Sequence, residues 1–375
     1  MTQLAGAAAP LNLWARPSTL ALSGRVDAID LARGVAVALM ILSHGIRGLV
    51  DYDQMPDWGL VPLHMVTKFS SSLFIMVFGI ALGAAFLPRV GTDDWPRYRL
   101  KLFLTGFKVL FWYKVLTVIE LFDGVEPSLI VGALLYEIFP SFVEVLGFYA
   151  VALLWVPFFL SLWMRMPLWL RLLSPLLMIA LAETLRVWDG FNSLALKAIL
   201  IEDEELYTWG QLTRGPLVLI GLLIGESIRV TQDDWRQRLR LIGVLGGASA
   251  LCALLYVVLA WPEFQRSFYN LAYNVGKHPP QAEFMAFSMA GAFAILALAL
   301  FGGRALALLL KPITIIGSNS LQAFIFHIVV IFVGFRFLLG YEDSISYGYA
   351  LTLTLGLVFA TALWIKTIDL FRRYS

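Results

Sequence analysis

Two histidines and an arginine stand in stretches whose other residues are almost all apolar. The run Asp30-Leu-Ala-Arg33-Gly-Val-Ala-Val-Ala-Leu-Met-Ile-Leu-Ser43-His44 separates Arg33 from His44 by three helical turns. On a helix the two share one face to within about 20°, with His44 roughly 16 Å further along the axis. Asp30 is one turn before Arg33 and can pair with it. This pattern puts a cation at one mouth of the helix and a titratable imidazole deeper on the same stripe. An imidazole there can take a proton from a hydroxyl near neutral pH. The alternative is that Arg33 anchors the helix end and His44 is a hydrogen-bonded packing residue, and spacing alone does not choose between the two. A second stretch, Ile316-Gly-Ser318-Asn319-Ser320-Leu-Gln322-Ala-Phe-Ile-Phe-His327, puts Ser320 and His327 two turns apart on one face. Small and polar residues in such a helix serve helix packing or a direct role.

Other charges interrupt apolar runs: Lys68 ahead of Phe69-Ser-Ser-Ser-Leu-Phe, then Lys108, Lys114, Glu120 and Glu144. Ionisable groups inside a membrane helix are expensive, so each is a functional candidate. Lys108 and Lys114 do not share a face closely, so each needs its own partner. Lys68 and Lys108 are expected in the inner halves of their helices, where they could help hold an anion. The loop Asp94-Trp95-Pro96-Arg97-Tyr98-Arg99-Leu-Lys101 brings three cations to a helix start. That is either a phosphate site or ordinary anchoring at a membrane surface.

The elements that must position these groups follow from composition. Of 375 residues, 59% are apolar and 14% charged, about half the charge of a soluble domain. The mean hydropathy is +0.79. The apolar residues come in blocks near the 20 or so needed to cross a bilayer. The expected fold is an all-α integral membrane protein of about ten transmembrane helices. The predicted spans are 31–50, 62–87, 99–122, 141–163, 168–187, 212–230, 239–262, 281–303, 311–337 and 346–370. The stretch 128–139 is apolar but too short to cross, so a re-entrant or interfacial helix on the outer side is expected. No pair of interrupted helices of the transporter kind is visible.

Loop charges orient the bundle. With the N-terminus inside, 17 Lys and Arg fall in inner segments and 7 in outer ones. That bias predicts both termini in the cytoplasm. Residues 1–24, with Arg16 nearby Arg25, lack a signal-peptide pattern and read as a flexible cytoplasmic tail ahead of a single domain over 25–375. Acidic residues gather outside at Asp51, Asp53, Asp57 and Glu202 to Glu205. The two longest outer loops, 188–211 and 263–280, either cover the bundle or handle something on that side. The lone Cys252 and the absence of Cys/His ligand spacing give no expectation of a metal, and no basic run points to nucleic acid.

The run Asp30-x-x-Arg33-Gly with His44 eleven residues after Arg33 resembles the signature of the acyltransferase-3 family. Its relatives include glucan succinyltransferases of the OpgC type and the heparan-α-glucosaminide N-acetyltransferase group. Phe69 to Gly79, Pro140-Ser-Phe-Val-Glu144-Val-Leu-Gly-Phe-Tyr149, Lys277-His278-Pro279-Pro280 and Gly317-x-Asn319-Ser320-Leu321…Phe326-His327 resemble further elements of that family, in the expected order. The resemblance implies transfer of an acyl group from cytoplasmic acyl-CoA to an acceptor reached from the opposite face. It makes His44 the central catalytic residue, with Arg33 and Asp30 also in the catalytic set, and Arg33 together with Arg97, Arg99 and Lys101 facing the donor. Here Arg97-x-Arg99-x-Lys101 departs from the family's Arg-x-x-Arg. On the acceptor side the expected residues are Glu144, Lys277, Ser320 and His327. The expected acceptor is a hydroxyl or amine of a cell-envelope glycan or a lipid-linked molecule. The expected setting is a bacterial inner membrane, with a second copy of the chain as a candidate partner in a homodimer. Two rivals remain open: a transporter or flippase of a polar or lipid-linked molecule, and a non-catalytic assembly subunit whose buried charges only pair helices.

Overall fold

The computed structural model describes residues 26–122, 127–188, 190–202, 204 and 208–374. The predicted tail 1–24, Arg16 and Arg25, and Asp203 and Glu205 of the acidic outer run, lie outside the described residues. Among the described residues the regular structure is helical throughout. In chain order the helices are α1 (Asp27–Arg47), α2 (Phe69–Ala85), α3 (Trp95–Glu120), α4 (Pro127–Leu134), α5 (Glu144–Trp163), α6 (Leu168–Arg186) and α7 (Leu194–Ile201). There follow α8 (Gln211–Thr231), α9 (Trp235–Ala260), α10 (Phe264–Ala272), α11 (Ala282–Leu309), α12 (Lys311–Ser318), α13 (Ser320–Val329) and α14 (Tyr347–Tyr374).

Nine of the described helical segments are long and apolar enough to cross a bilayer. The remaining predicted span, the sixth at 212–230, is α8. It has the length, at 21 residues, but carries Arg214, Glu226 and Arg229. Helix α4 has eight residues and rests on α3, where the Lys114 ammonium donates to Ala133 O at 2.9 Å. The 128–139 stretch therefore does not cross as a span of its own. Helix α1 is central and packs against α2, α11, α12, α13 and α14. Helices α6 and α9 lie at the periphery and expose Leu172, Leu176, Leu177, Leu251, Leu254 and Val258. An apolar rim of this kind suits lipid as its solvent.

Local chemistry sets several helix ends. Asp234 caps α9 by accepting from the Arg236 and Gln237 amides at 2.8 and 3.3 Å. Gly303, at φ 49°, breaks α11 close to the predicted end of the eighth span. The ninth predicted span, 311–337, is not continuous. It breaks at Asn319 (φ −134°, ψ 49°), which separates α12 from α13. Arg33 donates to the Gly317 carbonyl at 3.3 Å and so supplies a partner near the broken end of α12.

Helices α2 and α8 cross with their backbones in direct contact. Gly79 and Gly83 face Gly221 and Gly225, and a methyl group on any of the four would fall inside the opposite backbone. Small residues four apart on both partners let the two backbones touch. The pairing of 79 with 221 and 83 with 225 also shows that α2 and α8 run in the same direction.

Segments that the loop reading groups together lie side by side at each end of the bundle. Val26, Asp27 and Ala28 line one cleft with Thr231, Gln232, Arg238, Gly303 and Arg304. At the other end Asp343 N donates to Leu49 O, Asn274 to the Tyr52 hydroxyl and Tyr269 to Asp57. The segments assigned to one side of the membrane are thus neighbours in space. Replacing Gly221 with Val overfills the α2–α8 crossing and should cost about 1–3 kcal/mol. Gly246→Ala on α9 meets nothing within 4 Å and should stabilise by about 0.5–1 kcal/mol. Thermal midpoints of the detergent-solubilised variants check both signs.

Candidate active site

Helix α1 delivers His44 to the wall of a chamber near one end of the bundle. A small cavity of about 30 Å³ is bounded by Ser43, His44 and Arg47 of α1, Lys68, Ser70 and Ser71 at the start of α2, Glu144 at the start of α5, and the loop residues Trp209, Asn274 and Lys277. That is room for a polar group or a water rather than for a whole substrate. Aromatic rings frame His44: Phe142 lies edge-on at 5.3 Å and Phe324 at 6.2 Å between ring centroids. Phe142 is itself held by Glu120, whose carboxylate accepts from the Ser141 and Phe142 amides at 2.8 and 3.2 Å. Glu120 therefore shapes the chamber wall without entering it.

The hydrogen bonds behind His44 assign its protons. His327, fully buried on α13, has Nδ1 at 2.9 Å from the Ala323 carbonyl. A carbonyl only accepts, so Nδ1 of His327 carries its proton and Nε2 keeps a lone pair. That Nε2 is 3.2 Å from Nδ1 of His44. His44 must then donate through Nδ1, which leaves Nε2 of His44 as an unprotonated nitrogen. A base whose second ring nitrogen is oriented by a third group is a recurring catalytic arrangement.

The remaining expected residues fall into two groups. Glu144 and Lys277 meet in the chamber as an ion pair of 3.2 Å, leaving the buried Oε2 of Glu144 without a hydrogen-bond partner. Arg33 and Asp30 pair with each other at 3.5 Å, as their spacing predicts, but three turns of helix from His44. Arg97, Arg99 and Lys101 are exposed at the start of α3, with Arg99 over the Phe158 ring at 5.5 Å. Ser320 does not line the chamber; it follows the break at Asn319. His327 stands behind His44 rather than on the chamber surface. The expectation for Lys68 and Lys108 needs correction. Lys68 is buried in the chamber beside Lys277 and Asn274, whereas Lys108 is exposed on α3. The reason is direction: α2 starts at the chamber end, so an early residue on it lies there too. Arg47, one turn after His44, also lines the chamber and stacks over the Tyr52 and Phe142 rings. Its helical spacing from His44 was the signal that could have found it.

Both long loops reach the chamber, and one cluster holds them there. Arg214 and Glu202, both fully buried, pair at 2.7 Å. Glu202 Oε1 accepts from Gly210 N at 3.2 Å, and Arg214 also donates to Lys277 O. Trp209 Nε1 donates to His278 Nε2 at 3.2 Å, while His278 Nδ1 lies 3.3 Å from Glu202. Glu202 sits at φ 57°, an unfavourable conformation for a side-chain-bearing residue, and these contacts hold it. Burial would raise its carboxyl pKa, but Arg214 and His278 outweigh burial and hold it below the usual range. Burial pushes His278 down to about 4 against the opposing pull of Glu202.

A family model described as an acyltransferase domain matches residues 26–367. No curated protein matches the chain. The match covers the α1 stripe, the chamber and both long loops.

The His278 shift has a definite sign. Unfolded histidine binds a proton near pH 6.5 and the folded form only near 4. The stabilisation is complete above about pH 6.5 and is lost as pH falls toward 4, by about 2 kcal/mol at pH 5. Hydrogen exchange of segment 263–281, corrected for intrinsic rates, should show weaker protection at pH 5 than at pH 7. His278→Phe should flatten that difference.

Proposed function

The chain belongs to the acyltransferase-3 family, and on that premise we propose that it moves an acyl group from cytoplasmic acyl-CoA to a hydroxyl of a cell-envelope glycan or lipid-linked acceptor on the outer face of a bacterial inner membrane. The observation that carries the reading is the unprotonated Nε2 of His44 at the chamber wall, oriented from behind by His327. Residues 25–375 act as one transmembrane unit with both termini inside. The chamber then lies at the outer end and Arg33 at the inner end.

In this reading the coenzyme's phosphates meet Arg97, Arg99 and Lys101 at the inner surface, and its pantetheine arm carries the thioester past Arg33 toward His44. The acceptor hydroxyl comes from outside, donating first to the unpartnered Oε2 of Glu144, which Lys277 holds in place. His44 Nε2 removes the hydroxyl proton as its oxygen bonds to the thioester carbonyl carbon. The carbon–sulfur bond then breaks, the thiolate takes the proton from His44, and an ester and free coenzyme remain. Arg33, three turns away, serves the donor side. The developing oxyanion falls to groups at the chamber itself.

His44→Ala should abolish acylation of envelope glycans and lipids, read by mass spectrometry of cells with and without the gene, while the protein still folds and inserts. Near-normal acylation by this variant would sink the reading. His327→Ala should lower the rate by about 10²–10⁴-fold, the share a general base supplies. His327→Gln, whose amide oxygen can accept from His44, should recover part of it.

A further inference from the structure

We propose that the same chamber binds an anionic group of one substrate, a carboxylate or a phosphate, on the Lys68 ammonium; this rests on the acyl-transfer reading of the chamber. Lys68 is 3% exposed, lines the chamber and has no hydrogen-bond partner for its Nζ. A buried ammonium without a partner is costly in a region that water reaches poorly.

The surroundings deepen that cost. The charged lining consists of Arg47, Lys68, Lys277 and one carboxylate, Glu144, with His44 as the titratable base. Glu144 already engages Lys277 at 3.2 Å. Behind Lys68, one turn earlier in the chain, the fully buried His64 has neither ring nitrogen hydrogen-bonded, and His327 lies behind His44. The nearby hydroxyls do not answer the ammonium. Thr67 donates to His64 O at 2.6 Å and Ser71 donates to Lys68 O at 3.2 Å.

Proton removal by His44 gives no reason for the unpartnered Lys68 ammonium. An imidazole that takes up a proton becomes positive, and an ammonium beside it opposes that step. A neutral hydroxyl acceptor does not need it either. A bound anion satisfies both conditions: it partners Lys68 and offsets the charge His44 acquires. The anion has two sources, an acyl group ending in a carboxylate or an acceptor carrying a carboxylate or phosphate.

The test uses the full chain in lipid nanodiscs and two matched probe pairs. Propionyl-CoA and malonyl-CoA differ by a methyl against a carboxylate; glycerol and glycerol 1-phosphate differ by the phosphate. Binding is read from thermal midpoints across probe concentrations, independently of turnover. In the wild type, the anionic member of one pair should bind at least tenfold more tightly than its neutral partner. Lys68→Met should erase that preference and leave neutral binding unchanged. Its ligand-free midpoint should equal or exceed the wild type's, because an unpaired buried charge is gone. A preference in the CoA pair places the anion on the acyl group, and one in the glycerol pair places it on the acceptor. No preference in either pair, a preference that survives Lys68→Met, or a ligand-free Lys68→Met protein less stable than wild type overturns the proposal. Acyl transfer without charge preference removes only the anion site. Lys68-dependent binding without any transfer removes only the acyl-transfer reading.

Discussion

A polar group at membrane depth has no bulk water to fall back on, so each one must find its partner within the protein. The His44–His327 contact at 3.2 Å is that constraint in its most consequential form. It joins the central helix to the broken ninth span. Because Ala323 O closes the chain, it also fixes which nitrogen of each ring holds a proton. If the two helices shifted by one residue, His44 would lose both its partner and its defined tautomer. The close contacts around α1 keep the register. Gly34 lies against the Ile313 backbone and Gly317 against that of Asp30, so neither helix can slide without a clash.

The same constraint explains the break at Asn319. A broken helix leaves carbonyls without intrahelical donors, and Arg33 supplies one at Gly317. Arg33 thus has a structural task at the opposite end of the stripe from His44, compatible with a place beside the donor's path. Polar contacts also anchor the end of the bundle that carries Val26 and Arg304. Glu226 accepts from Trp163 Nε1 at 2.6 Å and pairs with Arg171 at 3.2 Å, tying α5, α6 and α8 together.

At the chamber end, the two long loops meet through Arg214, Glu202, Trp209 and His278. A fully buried ion pair does little for stability compared with an apolar replacement, but it enforces geometry, because breaking it strands a charge. Here the geometry enforced is the position of Trp209, Asn274 and Lys277 at the chamber mouth. Lys277 reaches the chamber from a loop that Arg214 holds by its backbone, and its ammonium then positions Glu144.

Sequence by itself determined the helical class, nearly all of the spans, which loops share an end, and the His44 stripe with its Asp30–Arg33 pair. These depend on apolar run length and on a fixed rise and turn per residue, all local properties of the chain. It also brought Glu144 to attention as a charge interrupting an apolar run, and Lys277 through the family resemblance of Lys277-His278-Pro279-Pro280. Only the tertiary structure decided that His327 stands behind His44, that Lys68 belongs with Lys277 rather than Lys108, and that Glu202 and Arg214 lock the loops. Those facts depend on which faces of distant helices meet. For α2 and α8 that choice was made at Gly79, Gly83, Gly221 and Gly225, and for α1 and α12 at Gly34 and Gly317, where the absence of a side chain lets two backbones touch; helical periodicity within one segment cannot name the partner.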